Sequence, residues 1–171
     1  MRPVRTIIAV VFAAAIAVTG CTAPVDRQAS IYPVVLRQYL TSGDHSFGSH
    51  GFPRIFVLDR AVAGTGAHTR AAAGGDEPIP PAVQHAITET LADVGRVTFV
   101  ASPNIVIEDG CARVRGEGIL ITLAPLVGVG DRVEVGVNGF FACLGGSSVT
   151  YALARTDAGW VVHDTIQGAV S

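Results

Sequence analysis

The chain has 171 residues, with 12 basic and 14 acidic side chains and a formal net charge of −2. It contains no lysine, and its arginines do not form a basic stripe. A protein that binds nucleic acid needs clustered Lys or Arg to displace the counterions of the phosphates, so this composition argues against nucleic-acid binding. It also provides no electrostatic attraction to anionic lipid.

The first twenty residues have the pattern of an export signal. Arg2 and Arg5 give a positive start, and residues 6–18 form an uncharged run of nearly all apolar residues. At about 13 residues the run fits a signal peptide and is too short for the roughly 20 residues of a membrane-spanning helix. It ends in Val18-Thr19-Gly20-Cys21, which resembles the lipobox of bacterial lipoprotein precursors.

This resemblance implies that Cys21 becomes the mature N-terminus and carries a diacylglyceryl group, and that a further acyl chain such as palmitate can be added to its amine. Two or more acyl chains hold a protein stably on a bilayer. We therefore expect a protein that is lipid-anchored at the cell membrane, faces outside the cytoplasm and does not cross the membrane. Ordinary secretion after cleavage at a small-residue site is the alternative.

The predicted domain organisation follows from this processing. Residues 1–20 are the signal peptide, residues 21–29 are the lipidated N-terminus and a tether, and residues 30–171 form a single domain. An extended tether over residues 22–29 reaches at most roughly 28 Å, so we expect the domain to lie close to the bilayer. The mature chain keeps ten basic residues against 14 acidic ones and is long enough for one domain with a real core.

Two cysteines remain besides Cys21. Outside the cytoplasm disulfides persist, so Cys111 and Cys143 are expected to form one. The two positions are symmetric about residue 127, within the turn-like run 125–131, and a hairpin folded there would bring them together. Two buried free thiols are the alternative. A metal site is not predicted, because no C-x-x-C motif or adjacent histidine completes one.

Helices dominate the first half of the chain. The predicted elements are a helix at 31–40, a strand at 54–59, and a helix that opens at Ile79-Pro80-Pro81, buries Val83, Ile87 and Leu91, and stops at Gly95. Ser30 can cap the first helix, and Pro33 then falls in its first turn, where a missing N–H costs little. Residues 41–53 and 60–78 are expected to be loops.

Strands dominate the second half. They are predicted at 97–100, 105–107, 118–123, 132–138, 149–153 and 160–163. The clearest alternation places Val133, Val135 and Val137 on one face of a strand. Residues 145–148 and 156–159 are expected to be turns.

Two helices followed by strands with short turns predict an α+β domain, in which the helices pack on a curved antiparallel β-meander. A cystatin-like or NTF2-like cone is the specific expectation. This is an analogy of pattern, and it implies no activity.

No catalytic, cofactor or metal site is predicted. Asp44, His45 and His50 share one loop, but their spacing does not fix ligand geometry. His163 and Asp164 are neighbours on a strand, where they are expected to point to opposite faces, and a G-x-S-x-G motif is absent. Trp160 is expected to be a core residue.

The sequence therefore favours a non-catalytic binding or protein-interaction module of unknown ligand. Its partner would be an envelope protein, or a small apolar ligand held on the concave face of the sheet. Whether the chain is an enzyme stays open, because an envelope hydrolase with a site built from the 44–50 loop is the alternative. A filled face with no cleft would rule out both the small ligand and the enzyme and leave protein interaction. An open cleft lined by two or more of Asp44, His45 and His50 would instead favour the enzyme.

Overall fold

A computed structural model describes residues 24–43, 51–67, 75–108, 112–143 and 145–170. These residues form the helices α1 Pro24–Thr41 and α2 Pro81–Thr90, and the strands β1 Arg54–Leu58, β2 Arg60–Ala61, β3 Glu77–Pro78, β4 Arg96–Val100, β5 Ile107–Glu108, β6 Arg113–Val114, β7 Ile119–Leu123, β8 Arg132–Ala142, β9 Gly145–Thr156 and β10 Gly159–Val170. None of the described helices is long and apolar enough to cross a membrane.

Six strands form one mixed sheet in the order β10-β9-β8-β7-β1-β4, while β2 pairs with β3 and β5 with β6 in two small sheets. The predicted α+β class is confirmed. The antiparallel meander holds only for β7 to β10, because β1 pairs in parallel with both β4 and β7. Parallel neighbours need a crossover connection, and α2 provides it between β1 and β4.

One face of the sheet, the helix face, is covered by α1 and α2. The predicted stripe of α2 is confirmed, since Val83, Ile87 and Leu91 are all fully buried. The predicted alternation of β8 is confirmed as well. The main core combines both helices with the sheet through Ile31, Leu36, Ile55, Ile119, Ile121, Val133, Val135, Val137, Tyr151 and Leu153.

Two tyrosines of α1 reach the ends of the strands from within this core. The Tyr32 hydroxyl donates to the Ala124 carbonyl at 3.0 Å, and the Tyr39 hydroxyl shares a hydrogen bond of 2.6 Å with Ser147. Burial raises the pKa of Tyr39 to about 12, although the Ser147 hydrogen bond opposes the shift. Burial, with a smaller contribution from the negative charge of Glu77, also raises the pKa of Tyr32 above its ordinary value.

The opposite face, the outer face, is covered without regular helices. There, Val106 from residues 101–108 and Val114 from residues 112–118 pack with Phe56, Leu58, Val100 and Leu120 in a second apolar cluster. Segment 62–67 crosses β8 and β9, where the Gly66 amide donates to the Asn138 side chain at 2.9 Å. The Thr150 hydroxyl donates to the Ala67 carbonyl at 2.6 Å. Part of the long 60–78 connection is therefore structural.

The first helix begins earlier than predicted. It starts at Pro24, so residues 24–29 of the expected tether are helical. Proline suits the first turn of a helix and Asp26 suits the positive end of the helix dipole, so both residues are compatible with this earlier start. Ser30 lies inside the helix and donates to the Arg27 carbonyl at 3.0 Å, so it is not the cap. Pro33 lies in the helix interior.

Three strand predictions also need correction. Pro103–Ile105 is a 3-10 turn, because the Ser102 side chain caps it and Pro103 starts it. Residues 145–148 belong to β9 instead of a turn. A Cβ at Gly145 would overlap the present position of the Phe141 ring, and Ser147 is buried against Tyr39. The last strand continues to Val170.

The strand directions define two ends of the sheet. At the helix-start end, α1 and α2 begin, loop 124–131 joins β7 to β8, and β10 starts at Gly159. At the pocket end, β1, β4 and β7 begin and β8 passes into β9.

Arg37 of α1 fixes the two helices together near this second end. Its guanidinium bonds Asp93 at 2.5 Å, and this hydrogen bond holds the pKa of the Asp93 carboxyl below its ordinary value.

Candidate functional site

A pocket of about 670 Å³ opens at the pocket end. Its described lining comes from the approach to β1, the 113–118 segment and the end of β8: Gly51, Phe52, Pro53, Arg113, Val114, Gly116, Glu117, Gly118, Phe141 and Ala142. Two phenyl rings, Phe52 and Phe141, meet at 5.9 Å between centroids with an interplanar angle of 54°. The pocket therefore has an aromatic surface of the kind that holds an apolar group.

A strained turn forms one wall of this pocket. Gly116 and Glu117 both have left-handed backbones, with φ of 65° and 56°. Glu117 is the only non-glycine residue with positive φ in the described chain. Such a conformation costs on the order of 1–3 kcal/mol, and it persists only where the surrounding structure holds it in place. A Cβ on Gly116 would overlap the Arg54 guanidinium, and one on Gly118 would lie 2.9 Å from the Phe56 ring. The turn is therefore wrapped closely onto β1.

Charged side chains surround the rim. Arg113 donates from Nε to the Glu108 carboxylate at 2.9 Å, and the Arg115 guanidinium lies 5.6 Å from the centre of the Phe56 ring. Arg113 and Glu117 are exposed, so solvent screens their charges. Among the described lining residues, Glu117 is the one carboxylate, and no Ser, Thr, Cys or His side chain is present. The described lining therefore offers an aromatic surface beside a rim of mixed charge.

The helix face is filled by side chains of the described residues. Tyr32, Tyr39 and Tyr151 are fully buried there between the helices and the sheet. The sequence left open whether the face of the sheet under the helices is open to a ligand or filled, and in the structure it is filled. The cavity lies at the end of the sheet instead.

The predicted cysteine sites are described only in part. Cys143 is disulfide-bonded and follows the pocket residue Ala142. Cys21 and Cys111 lie outside the described residues, so lipidation and the Cys111–Cys143 pairing stay predictions. The symmetry argument for that pairing is wrong, because the β7–β8 register pairs Leu120 with Phe140 and is centred on residue 130 rather than 127.

The predicted loop residues Asp44, His45 and His50 lie outside the described residues, and the hydrolase alternative stays untested with them. His85 is exposed on α2, where it lies 3.2 Å from the Glu89 carboxylate. Within the described parts of the chain, no group of three or more His, Cys, Asp or Glu side chains could hold a metal ion.

The strict alternation expected for His163 and Asp164 is interrupted. The register of β10 shifts between Val162 and Asp164, which is a bulge, and both residues line a groove of about 350 Å³ on the outer face. The Asp164 carboxylate accepts a hydrogen bond from the Thr165 amide at 2.8 Å. The hydrogen bond that the structure shows for Asp164 is thus to the adjacent backbone, and neighbouring positions in the sequence are not enough to make His163 and Asp164 a catalytic pair.

Comparison with known protein families, curated proteins and solved structures finds no match for this chain. The pocket must therefore be interpreted from its own residues. Sequence reasoning missed Phe52 and Phe141, and it did not relate Glu117 to them, because the three residues come from separate segments. The available signal was the alternation Arg115-Gly116-Glu117-Gly118, where two glycines flank a charged residue before a strand.

Proposed function

We propose that the chain is a membrane-anchored envelope lipoprotein whose domain is a non-catalytic binding module. The aromatic pocket at the pocket end is the observation that carries the binding role. Its volume lies within the range of small-molecule sites, and its chemistry suits a small apolar ligand. An apolar side chain of an envelope protein would meet the same surface.

The anchor rests on the sequence Val18-Thr19-Gly20-Cys21 behind the Arg-flanked apolar run. Intact mass spectrometry of membrane-extracted protein tests it. We expect loss of residues 1–20 and added acyl mass on Cys21. A soluble secreted product with an unmodified N-terminus would contradict the anchor and leave the pocket proposal standing.

The pocket is tested by filling it. Ala142 is half-buried in the lining, so Ala142→Leu would place a larger side chain in the cavity. Ala154→Leu is the matched control, because Ala154 is also a half-buried strand alanine but lies near the other end of the sheet. The probe is the fluorophore 1-anilinonaphthalene-8-sulfonate, whose emission increases in apolar surroundings.

We expect Ala142→Leu to weaken probe binding about tenfold, which corresponds to about 1.4 kcal/mol, and Ala154→Leu to leave it unchanged. Circular dichroism checks that both variants keep the fold. Equal probe affinity in all three proteins would mean that the probe binds elsewhere and that this pocket is not the site.

A further inference from the structure

Exposed apolar side chains gather at the helix-start end. Five large apolar side chains of the described residues are more than a third exposed, and three of them lie here: Val25 at 38 %, Val161 at 41 % and Val129 at 86 %. Single exposed apolar residues are ordinary on a protein surface, but a group of them marks an interaction surface. Trp160, the only tryptophan of the chain, lies beside Val161.

Arg27 connects the segments of the chain that carry these residues. Its guanidinium donates to the carbonyls of Gly128 at 3.3 Å and Gly130 at 3.0 Å, and lies 5.7 Å from the centre of the Trp160 ring. The first turn of α1, the tip of loop 124–131 and the start of β10 are therefore held together as one surface.

Val129 is fixed at the tip of the loop. Gly128 and Gly130 on either side have φ of 123° and 61°, a conformation that suits glycine, and these positions turn the chain around Val129. Below the tip, Val127 and Glu134 exchange two backbone hydrogen bonds of 3.0 and 2.7 Å. The exposed valine is thus carried on a narrow, hydrogen-bonded hairpin.

The chain connects this same end to Cys21. Only Thr22 and Ala23 separate Cys21 from Pro24, where α1 begins, and three residue steps span at most roughly 11 Å. Since α1 is continuous from Pro24 and Arg27 holds its first turn to the domain, a lipid on Cys21 would lie close to the surface around Val129.

We propose that the helix-start end lies against the bilayer, with Val129 inserted into the interface; this rests on the lipid anchor proposed above. Tryptophan prefers the membrane interface, and an arginine stem covers apolar surface while its charge stays at the headgroups. Around Val129 the acidic Asp26 and Asp131 equal the basic Arg27 and Arg132 in number, so these residues provide no excess of positive charge that would require anionic lipid. The ligand pocket then faces away from the membrane.

The test uses the full lipidated chain in phosphatidylcholine vesicles, with or without bromine on the acyl chains, because brominated lipid quenches tryptophan that enters the bilayer. Val129→Trp reports on the loop tip. Ile166→Trp is the matched control, since Ile166 is also exposed but pairs with Thr150 in the middle of the sheet. Trp160 contributes the same background to both variants.

We expect the added emission of Val129→Trp to be shifted to the blue and quenched about twofold by brominated lipid, as for a side chain buried in the interface, and that of Ile166→Trp to be unaffected. Protein that floats with the vesicles while Val129→Trp stays unquenched would overturn the docking proposal and leave the anchor intact. Equal quenching of both variants would overturn the orientation. Protein without acyl mass that fails to float would overturn anchor and docking together.

Discussion

The helix face of the sheet is covered by side chains, whereas the middle of the outer face is covered by backbone. On the helix face, α1 places large residues such as Tyr39 and Leu36 in a core that also contains the valines of β8. On the outer face, segment 62–67 lies directly on β8 at Gly136, where a Cβ would overlap the Thr65 carbonyl oxygen.

The two faces therefore depend on different properties of the same strand. Val135 and Val137 fill volume on the side of the helices, whereas Gly136 has no side chain and so leaves room for segment 62–67 on the other side. A core of close-packed side chains tolerates loss of volume poorly, and a backbone crossing tolerates added volume poorly. Removing atoms should damage the helix face, and adding atoms should damage the outer face.

The largest effect is expected from Tyr39→Ala on the helix face. The change removes a fully buried ring and leaves the Ser147 hydroxyl without the hydrogen bond it shares with Tyr39. We expect the free energy of unfolding to fall by about 4 kcal/mol, as for other buried aromatic residues changed to alanine. Urea denaturation measures it. A loss below about 1 kcal/mol would mean that α1 contributes little to the core.

The sequence predicted the helix face well because burial there is periodic. Val83, Ile87 and Leu91 recur at helical spacing, and the alternating valines of β8 recur at strand spacing, so each pattern identifies both the element and its buried side. The start of α1 was missed because residues 24–29 lack that periodicity. What holds them is Arg27, whose contacts lie about a hundred residues further along the chain.

The outer face and the pocket could not be predicted in this way. Gly136 has the sequence pattern of an exposed strand position, and only a crossing segment explains its burial. The pocket joins Phe52, Glu117 and Phe141 from three segments, which local patterns do not relate. The parallel pairing of β1 was missed for the same reason, because strand partners far apart in the chain leave no local signal.

A second, smaller effect is expected from Gly136→Ala on the outer face. The added methyl group would meet the backbone of Thr65, which can move only if segment 62–67 leaves the sheet. We expect a loss of about 2–3 kcal/mol in the free energy of unfolding. Gly75→Ala is the control, because nothing lies within 4 Å of a Cβ built there. If both variants are equally stable, the crossing segment is not closely packed on β8.

The smallest effect at neutral pH is expected from Tyr39→Phe, which keeps the ring and removes only the hydroxyl. We expect a loss of about 1 kcal/mol, the usual contribution of one buried hydrogen bond. Comparison with Tyr39→Ala also shows how much of that larger stability loss comes from the hydroxyl and how much from the ring. Its main value lies at high pH, where the titration of the buried phenol contributes to stability.

Burial raises the pKa of Tyr39 to about 12 from an ordinary value of about 10. Below pH 10 both the folded and the unfolded chain keep the proton, so this contribution to stability is complete. Between pH 10 and 12 the unfolded chain releases the proton while the folded chain holds it, and the free energy of unfolding falls as pH rises. Tyr39→Phe should therefore show a shallower alkaline loss than the unaltered chain, with Tyr32 responsible for part of what remains. Urea midpoints measured from pH 8 to 12 decide this. Parallel pH profiles for the two proteins would mean that the Tyr39 phenol is not protected by the helix face.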